Sequence, residues 1–176
     1  ISKYSADVMV PAFLDAYTAG GSGLRIFPTI LRMLPNWSIS YAGLARLSAM
    51  KKVFKSFNLN HSYKSIYSVG AYSSFSTFSR YMGNWGFVTN VSTGLPVPSS
   101  PFDVSTVSIN ETFAPLFGVD MTFLNNLSTR VEIRRTRILT LSMTNAQINE
   151  ARSNDFVIGM GYKIPNFKLF ESKKAV

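Results

Sequence analysis

The sequence predicts an all-β fold: an antiparallel transmembrane β-barrel segment with long amphipathic strands and one or two short helices. Three observations carry that expectation. Apolar and polar residues alternate strictly over long stretches, which places one set on each face of a β-strand. Those stretches far exceed the about 5–6 residues of an ordinary strand. No window approaches the roughly 20 consecutive apolar residues of a transmembrane helix, a test that barrel strands evade because only alternate residues face lipid. Aromatic residues make up 14 % of the 176, mostly Phe and Tyr, as interfacial girdles require.

From the N-terminal end, residues 1–24 read as a short helical or irregular lead-in. Asp7 to Tyr17 suggests a strand entry and then a helix, with Pro11 in its first turn, an apolar side of Val10, Phe13, Leu14 and Tyr17, and Gly20-Gly21 as the stop. Residues 24–35 are mixed, with Pro28 and Pro35 limiting any strand. Barrel strands are expected over 36–164. Trp37, Ile39 and Tyr41 alternate with Ser38, Ser40 and Ala42 in a short one. Leu44, Leu47 and Phe54 then switch to helical spacing for one or two turns. A long strand follows from Lys55 to about Thr77, its odd positions apolar (Phe57, Leu59, His61, Tyr63, Tyr67, Val69). Glycines and prolines over 79–103 predict a long loop with one strand near Trp85–Val88.

Three further long strands are expected near 104–123, 127–144 and 151–164. The first two carry their apolar sets on odd positions, so the connection between them must be odd-numbered. Leu124-Asn125-Asn126 fits a three-residue hairpin with an Asn in the left-handed conformation, pairing Phe123 with Leu127 and Phe113 with Arg137. The last strand is apolar on even positions (Phe156, Ile158, Met160, Tyr162), so it needs an even loop, expected at Ile148-Asn149. That end is polar on both faces and should project beyond the membrane. The compact Asn125-Asn126 end would then be periplasmic. Residues 165–176 read as a basic tail.

The net charge of +9 is dispersed over Lys51–Lys55, Arg130–Arg137 and Lys168–Lys174, and no nucleic-acid-binding module matches. The absence of cysteine removes disulfides and thiolate chemistry. His61 is the only histidine and sits on an apolar face, so neither a multi-histidine metal site nor a catalytic triad is supported. No cofactor is expected. Gly159 and Gly161 alternate with apolar residues as inward small residues of a strand. The polar faces nominate lumen-lining residues: Asn58, Asn60, Lys64, Ser108, Asn110, Thr112, Arg130, Glu132 and Arg134. The anomaly is charge on the apolar face, at Glu111, Arg135 and Arg137. An Arg facing lipid at midplane costs about 2–4 kcal/mol. Either a bulge or a strand longer than the membrane carries these charges into the interface, or protein covers the patch, making these three partner-contact candidates.

The stretches DVMVPAFLDAYTAG (7–20), LPNWSISYAGLARLSAMKKVFKSFNLNHSYKSIYSVG (34–70) and SINETFAPLFGVDMTFLNNLSTRVEIRRTRILTLSMTNAQINEARSNDFVIGMGYKI (108–164) resemble the SprA/Sov family, the outer-membrane translocon of type IX secretion in Bacteroidota. The resemblance implies a bacterial outer-membrane location. It also implies passage of folded cargo proteins, and of motility adhesins in gliding species, and contact with companion outer-membrane and periplasmic proteins and with membrane lipid. Family members are giant single-chain barrels, so this chain would be one segment from the C-terminal part. Two other readings stay open: a small self-contained barrel acting as pore or adhesin, and a soluble β-sandwich binding module.

Overall fold

The computed structural model describes residues 3–17, 35–81 and 85–165. The glycine pair at 20–21, most of the mixed stretch over 24–35 and nearly all of the basic tail lie outside the described residues. Helix α1 spans Ala6–Tyr17 and α2 spans Ser48–Lys51, the latter following a 3-10 turn at Gly43–Arg46. The strands are β1 (Trp37–Tyr41), β2 (Phe54–Gly70), β3 (Ser73–Ser74), β4 (Phe78–Tyr81) and β5 (Trp85–Thr89). They continue with β6 (Pro96–Pro98), β7 (Phe102–Asp103), β8 (Thr106–Phe123), β9 (Leu127–Ser142) and β10 (Gln147–Tyr162). The main sheet has five strands in the order β1-β2-β8-β9-β10 and is open among the described residues. The all-β expectation holds; closure into a barrel is not seen.

The chain clusters into two compact units. One comprises Ile1–Asn36, Lys64–Thr112 and Thr136–Ser153; the other comprises Trp37–Tyr63, Phe113–Arg135 and Asn154–Val176.

In the first unit, α1 supplies a core. Its first turn is closed by the Ser5 carbonyl, which accepts from the Val8 and Met9 amides at 3.0 and 2.9 Å. Asp7 lies where the helix dipole favours an anion. Apolar residues at helical spacing, Ala6, Val10, Phe13 and Leu14, pack on Val104, Val107, Ile109, Leu139 and Leu141, all buried. Tyr67, Val69 and Met143 rim the cluster. The odd-numbered apolar face is therefore covered by helix here. The expected strand entry at Asp7 is corrected: the segment is helical from Ala6, and Pro11 sits buried inside the helix rather than in its first turn. A proline is tolerated there because one missing N–H costs less than abandoning the packed face.

The same unit corrects two strand limits. β2 ends at Gly70, not near Thr77: Ala71 turns left-handed (φ +50°) and the Gly70 carbonyl accepts from Ser105 N at 3.1 Å. In the 79–103 region the strand expected near Trp85–Val88 is present as β5, but the rest is not plain loop. β4, β5 and β6 form a small sheet pairing Phe78 with Val88 and Val88 with Val97, and β3 pairs with β7. The β6 prolines are tolerated because that strand is an edge. Asn90 organises the β5–β6 turn, its Oδ1 accepting from the Ser92 and Thr93 amides, with Gly94 at φ +69°. The β9–β10 turn occupies residues 143–146 rather than Ile148-Asn149. Its length is even, as the parity of the flanking strands requires. It falls earlier because polar Gln147, Asn149, Glu150 and Arg152 extend the ladder on exposed backbone instead of forming a turn.

In the second unit, β1 pairs with β2 as Trp37↔Tyr63, Ile39↔His61 and Tyr41↔Leu59. Trp37 stacks on Tyr63 at 4.5 Å between centroids, and Tyr63 meets Phe113 at 4.8 Å. The β8–β9 hairpin is the three-residue turn read from the sequence. Asn126 donates its amide to Phe123 O at 3.1 Å and takes φ +65°, while Asn125 Oδ1 accepts from Leu127 N at 3.1 Å. The apolar side of this unit is open in part: Ile39, Tyr41, Phe117, Ile133, Phe156, Ile158 and Tyr162 are exposed and Met160 is 77 % exposed, whereas Tyr63 is buried and Phe57, Leu59 and Phe113 are half-buried.

Candidate functional site

The polar side of the second unit holds a hydrogen-bonded chain across four strands. Ser40 Oγ on β1 donates to Asn60 Oδ1 on β2 at 2.9 Å, and Asn60 Nδ2 donates to Asp120 Oδ2 on β8 at 2.7 Å. Arg130 Nε on β9 donates to the other Asp120 oxygen at 2.6 Å and lies 3.6 Å from Glu132 Oε1. Arg134 closes the chain with Nη2 at 2.5 Å and Nε at 2.9 Å from Glu132 Oε2. Glu132, only 8 % exposed, is flanked by two arginines, so its burial is compensated. The charges of Asp120, Arg130, Glu132 and Arg134 sum to zero.

Beside this chain lies an open groove of about 560 Å³ lined by Asn58, Asp120, Thr122, Arg130, Gly159 and Gly161, among others. The two glycines keep the β10 side low. A Cβ at Gly161 would meet nothing within 4 Å, and one at Gly159 would approach Arg130 Cβ at 3.7 Å. They share the groove with even-numbered residues of β2, β8 and β9, as the change of parity on the last strand requires.

Of the nine lumen-lining residues nominated from sequence, four join this chain: Asn60, Arg130, Glu132 and Arg134. Asn58 lines the groove. Lys64, Ser108, Asn110 and Thr112 belong to the first unit, where Thr112 Oγ1 donates to Asn110 Oδ1 at 3.2 Å and Lys64 is exposed. The sequence reading missed Ser40 and Asp120. Asp120 could have been found by counting from the turn, since it precedes Phe123 by as many positions as Arg130 follows Leu127.

The charged residues of the apolar side divide differently. In the first unit, Arg137 Nη1 lies 3.3 Å from Glu111 Oε2 and its Nε lies 2.6 Å from Glu150 Oε1, with Arg152 Nε 2.7 Å from the same oxygen. The Tyr17 ring of α1 covers the Arg137 guanidinium at 5.8 Å. The hydrogen bond to Glu150 raises Arg137 above its ordinary value, and the bonds from Arg152 and Arg137 hold Glu150 below the usual carboxylate range. Glu111 and Arg137 are thus paired within the chain and partly covered by it. Arg135, in the second unit, is exposed and makes no ion pair or hydrogen bond among the described residues.

His61 faces the apolar side, its Nδ1 2.6 Å from Leu116 O and its ring near Trp37 and Phe113. Among the described residues no group of three His, Cys, Asp or Glu side chains could hold a metal ion. No described helix is long and apolar enough to cross a membrane, which leaves strands untested. The polar chain and groove together form a charge-balanced polar surface of the second unit. No family model matches the chain, and a search of curated proteins finds no similar sequence.

Proposed function

We propose that the chain is part of the outer-membrane protein-conducting channel of type IX secretion, its polar face lining an aqueous lumen and its apolar face turned to lipid. One observation supports this above others. The strands β2, β8, β9 and β10 run 17, 18, 16 and 16 residues, each long enough to supply the about 9–11 residues that a tilted transmembrane strand needs, and their portions in the second unit are 54–63, 113–123, 127–135 and 154–162. Their apolar side is exposed at Phe117, Ile133, Phe156, Ile158, Met160 and Tyr162, while their polar side is tied into a neutral network. A soluble protein rarely leaves so broad an apolar face open. A lumen wall benefits from cancelled charge, because a passing protein of either sign is then neither held nor repelled. The resemblance to the SprA/Sov family supplies the cargo class, folded secreted proteins.

In this reading the mechanism is passive. Ser40, Asn60, Asp120, Arg130, Glu132 and Arg134 satisfy one another, so the wall hydrates cargo without offering unpaired buried groups. Gly159 and Gly161 widen the bore locally. Gating and energy come from partner proteins. A second reading, a soluble binding module, draws on α1, which covers the apolar face of the first unit as a helix covers a soluble sheet.

Deletion of this region in its source bacterium separates them. Loss of secreted proteins bearing the type IX sorting domain, with their build-up in the periplasm, supports the translocon. Normal secretion removes it. Insertion of the chain into vesicles, with heat-modifiable gel mobility, removes the soluble module.

A further inference from the structure

We propose that the turn end of the second unit seats on the headgroup layer of an anionic bilayer leaflet, through Arg46, Lys51, Lys52, Lys55 and Lys163. The inference rests on the membrane reading above and adds an orientation and a lipid class to it. Backbone bonds bring Val53, the 124–126 turn and Lys163 to one end, Leu124 N donating to Val53 O at 3.2 Å and Lys163 N to Asn126 O at 3.1 Å, while Arg46, Lys51 and Lys52 lie on the connection that leads into β2 there. All five cations are exposed. Among the described residues, 42–56, 121–129 and 156–165 contain no acid to neutralise them.

The order of side chains along this end is that of a membrane interface. Phe54 packs against Phe57 and Phe123 at 5.4 and 4.9 Å between centroids, next to the apolar band. The cations come at or beyond these rings. Lys55 is the informative one. It shares the odd register of Phe57 and Leu59 and so leaves β2 from the apolar side, where a flexible stem can carry the ammonium to a phosphate. Exposed Leu47, Val53 and Leu124 lie among the lysines. Cations interleaved with exposed apolar residues fit a bilayer surface, where both find partners; a free polyanion would leave the apolar ones in water.

The test uses flotation of the refolded chain with vesicles of phosphatidylcholine alone and of phosphatidylcholine with phosphatidylglycerol. Wild type should prefer the anionic vesicles, and raising salt should erase the preference. Lys51→Gln with Lys52→Gln should reduce it about thirty-fold, roughly five-fold for each charge near the surface. Lys51→Arg with Lys52→Arg should keep it. Equal partition into both vesicles, or a glutamine variant that matches wild type, overturns the proposal while heat-modifiable insertion in neutral lipid leaves the membrane reading intact. Absence of insertion in either lipid overturns both. If the glutamine variant does not fold, a salt-insensitive preference in wild type overturns it instead, and so does competition by RNA equal to that by vesicles.

Discussion

Ile158→Lys separates a lipid-facing wall from a wet one. Ile158 lies at the centre of segment 154–162 on β10, 57 % exposed, with Phe156 and Met160 on the same side also exposed. Replacing it removes little packing, so in water the change should stay within about 0.5 kcal/mol. At a bilayer midplane a lysine costs about 2–4 kcal/mol, equivalent to about thirty- to nine-hundred-fold in the folding equilibrium. Snorkelling cannot rescue it: the ends of the segment are four residues away, about 13 Å of strand, beyond the reach of a lysine side chain. Ser56→Lys is the control, exposed on the groove side, and should cost under about 0.5 kcal/mol in either setting. The assay is urea unfolding of both variants in phosphatidylcholine vesicles and in detergent-free buffer. Equal, small costs for Ile158→Lys and Ser56→Lys in vesicles would refute the assignment of the apolar face to lipid.

Other perturbations test the remaining contacts. Leu139→Ala, at a position 1 % exposed beneath α1, should destabilise the chain by about 2–5 kcal/mol, read as a lowered denaturation midpoint; under 1 kcal/mol would mean that α1 does not pack there. Glu132→Ala leaves Arg134 without its acceptor and Arg130 and Arg134 without the anion between them, and should cost about 1–3 kcal/mol, a loss that high salt partly restores by screening the arginines. Tyr67 is raised by burial to about 12, above its unfolded value near 10. Its contribution is therefore whole below about pH 10 and falls as pH rises through about 12, so Tyr67→Phe should flatten the alkaline limb of a stability–pH profile, and an unchanged limb would contradict the burial.

The long strands were legible because alternation is a local signal: each residue's face follows from its parity alone, as the Asn125-Asn126 hairpin and the even β9–β10 turn bear out. Turn positions were less legible. Polar Gln147 and Asn149 read equally well as turn or exposed strand, and only their place in the ladder decides. The 79–103 segment misled through its prolines, which an edge strand accepts. The charge anomaly at Glu111 and Arg137 was visible by register, and the two form an ion pair at 3.3 Å. Its cover was not visible, because Tyr17 is far along the chain from both.

The sequence by itself determined which residues share a face, the hairpin parity and the absence of thiol chemistry, all of which follow from identity and spacing. Only the tertiary structure decided what lies against each face. Helix α1 is amphipathic on its own, yet nothing local says that its apolar side meets Leu139 and Leu141 in one unit while Phe156 and Met160 stay open in the other. Hydrophobic burial is non-directional and proportional to area, so an apolar strand face accepts helix, lipid or another sheet alike; the choice is made by which surface the folded chain brings within reach.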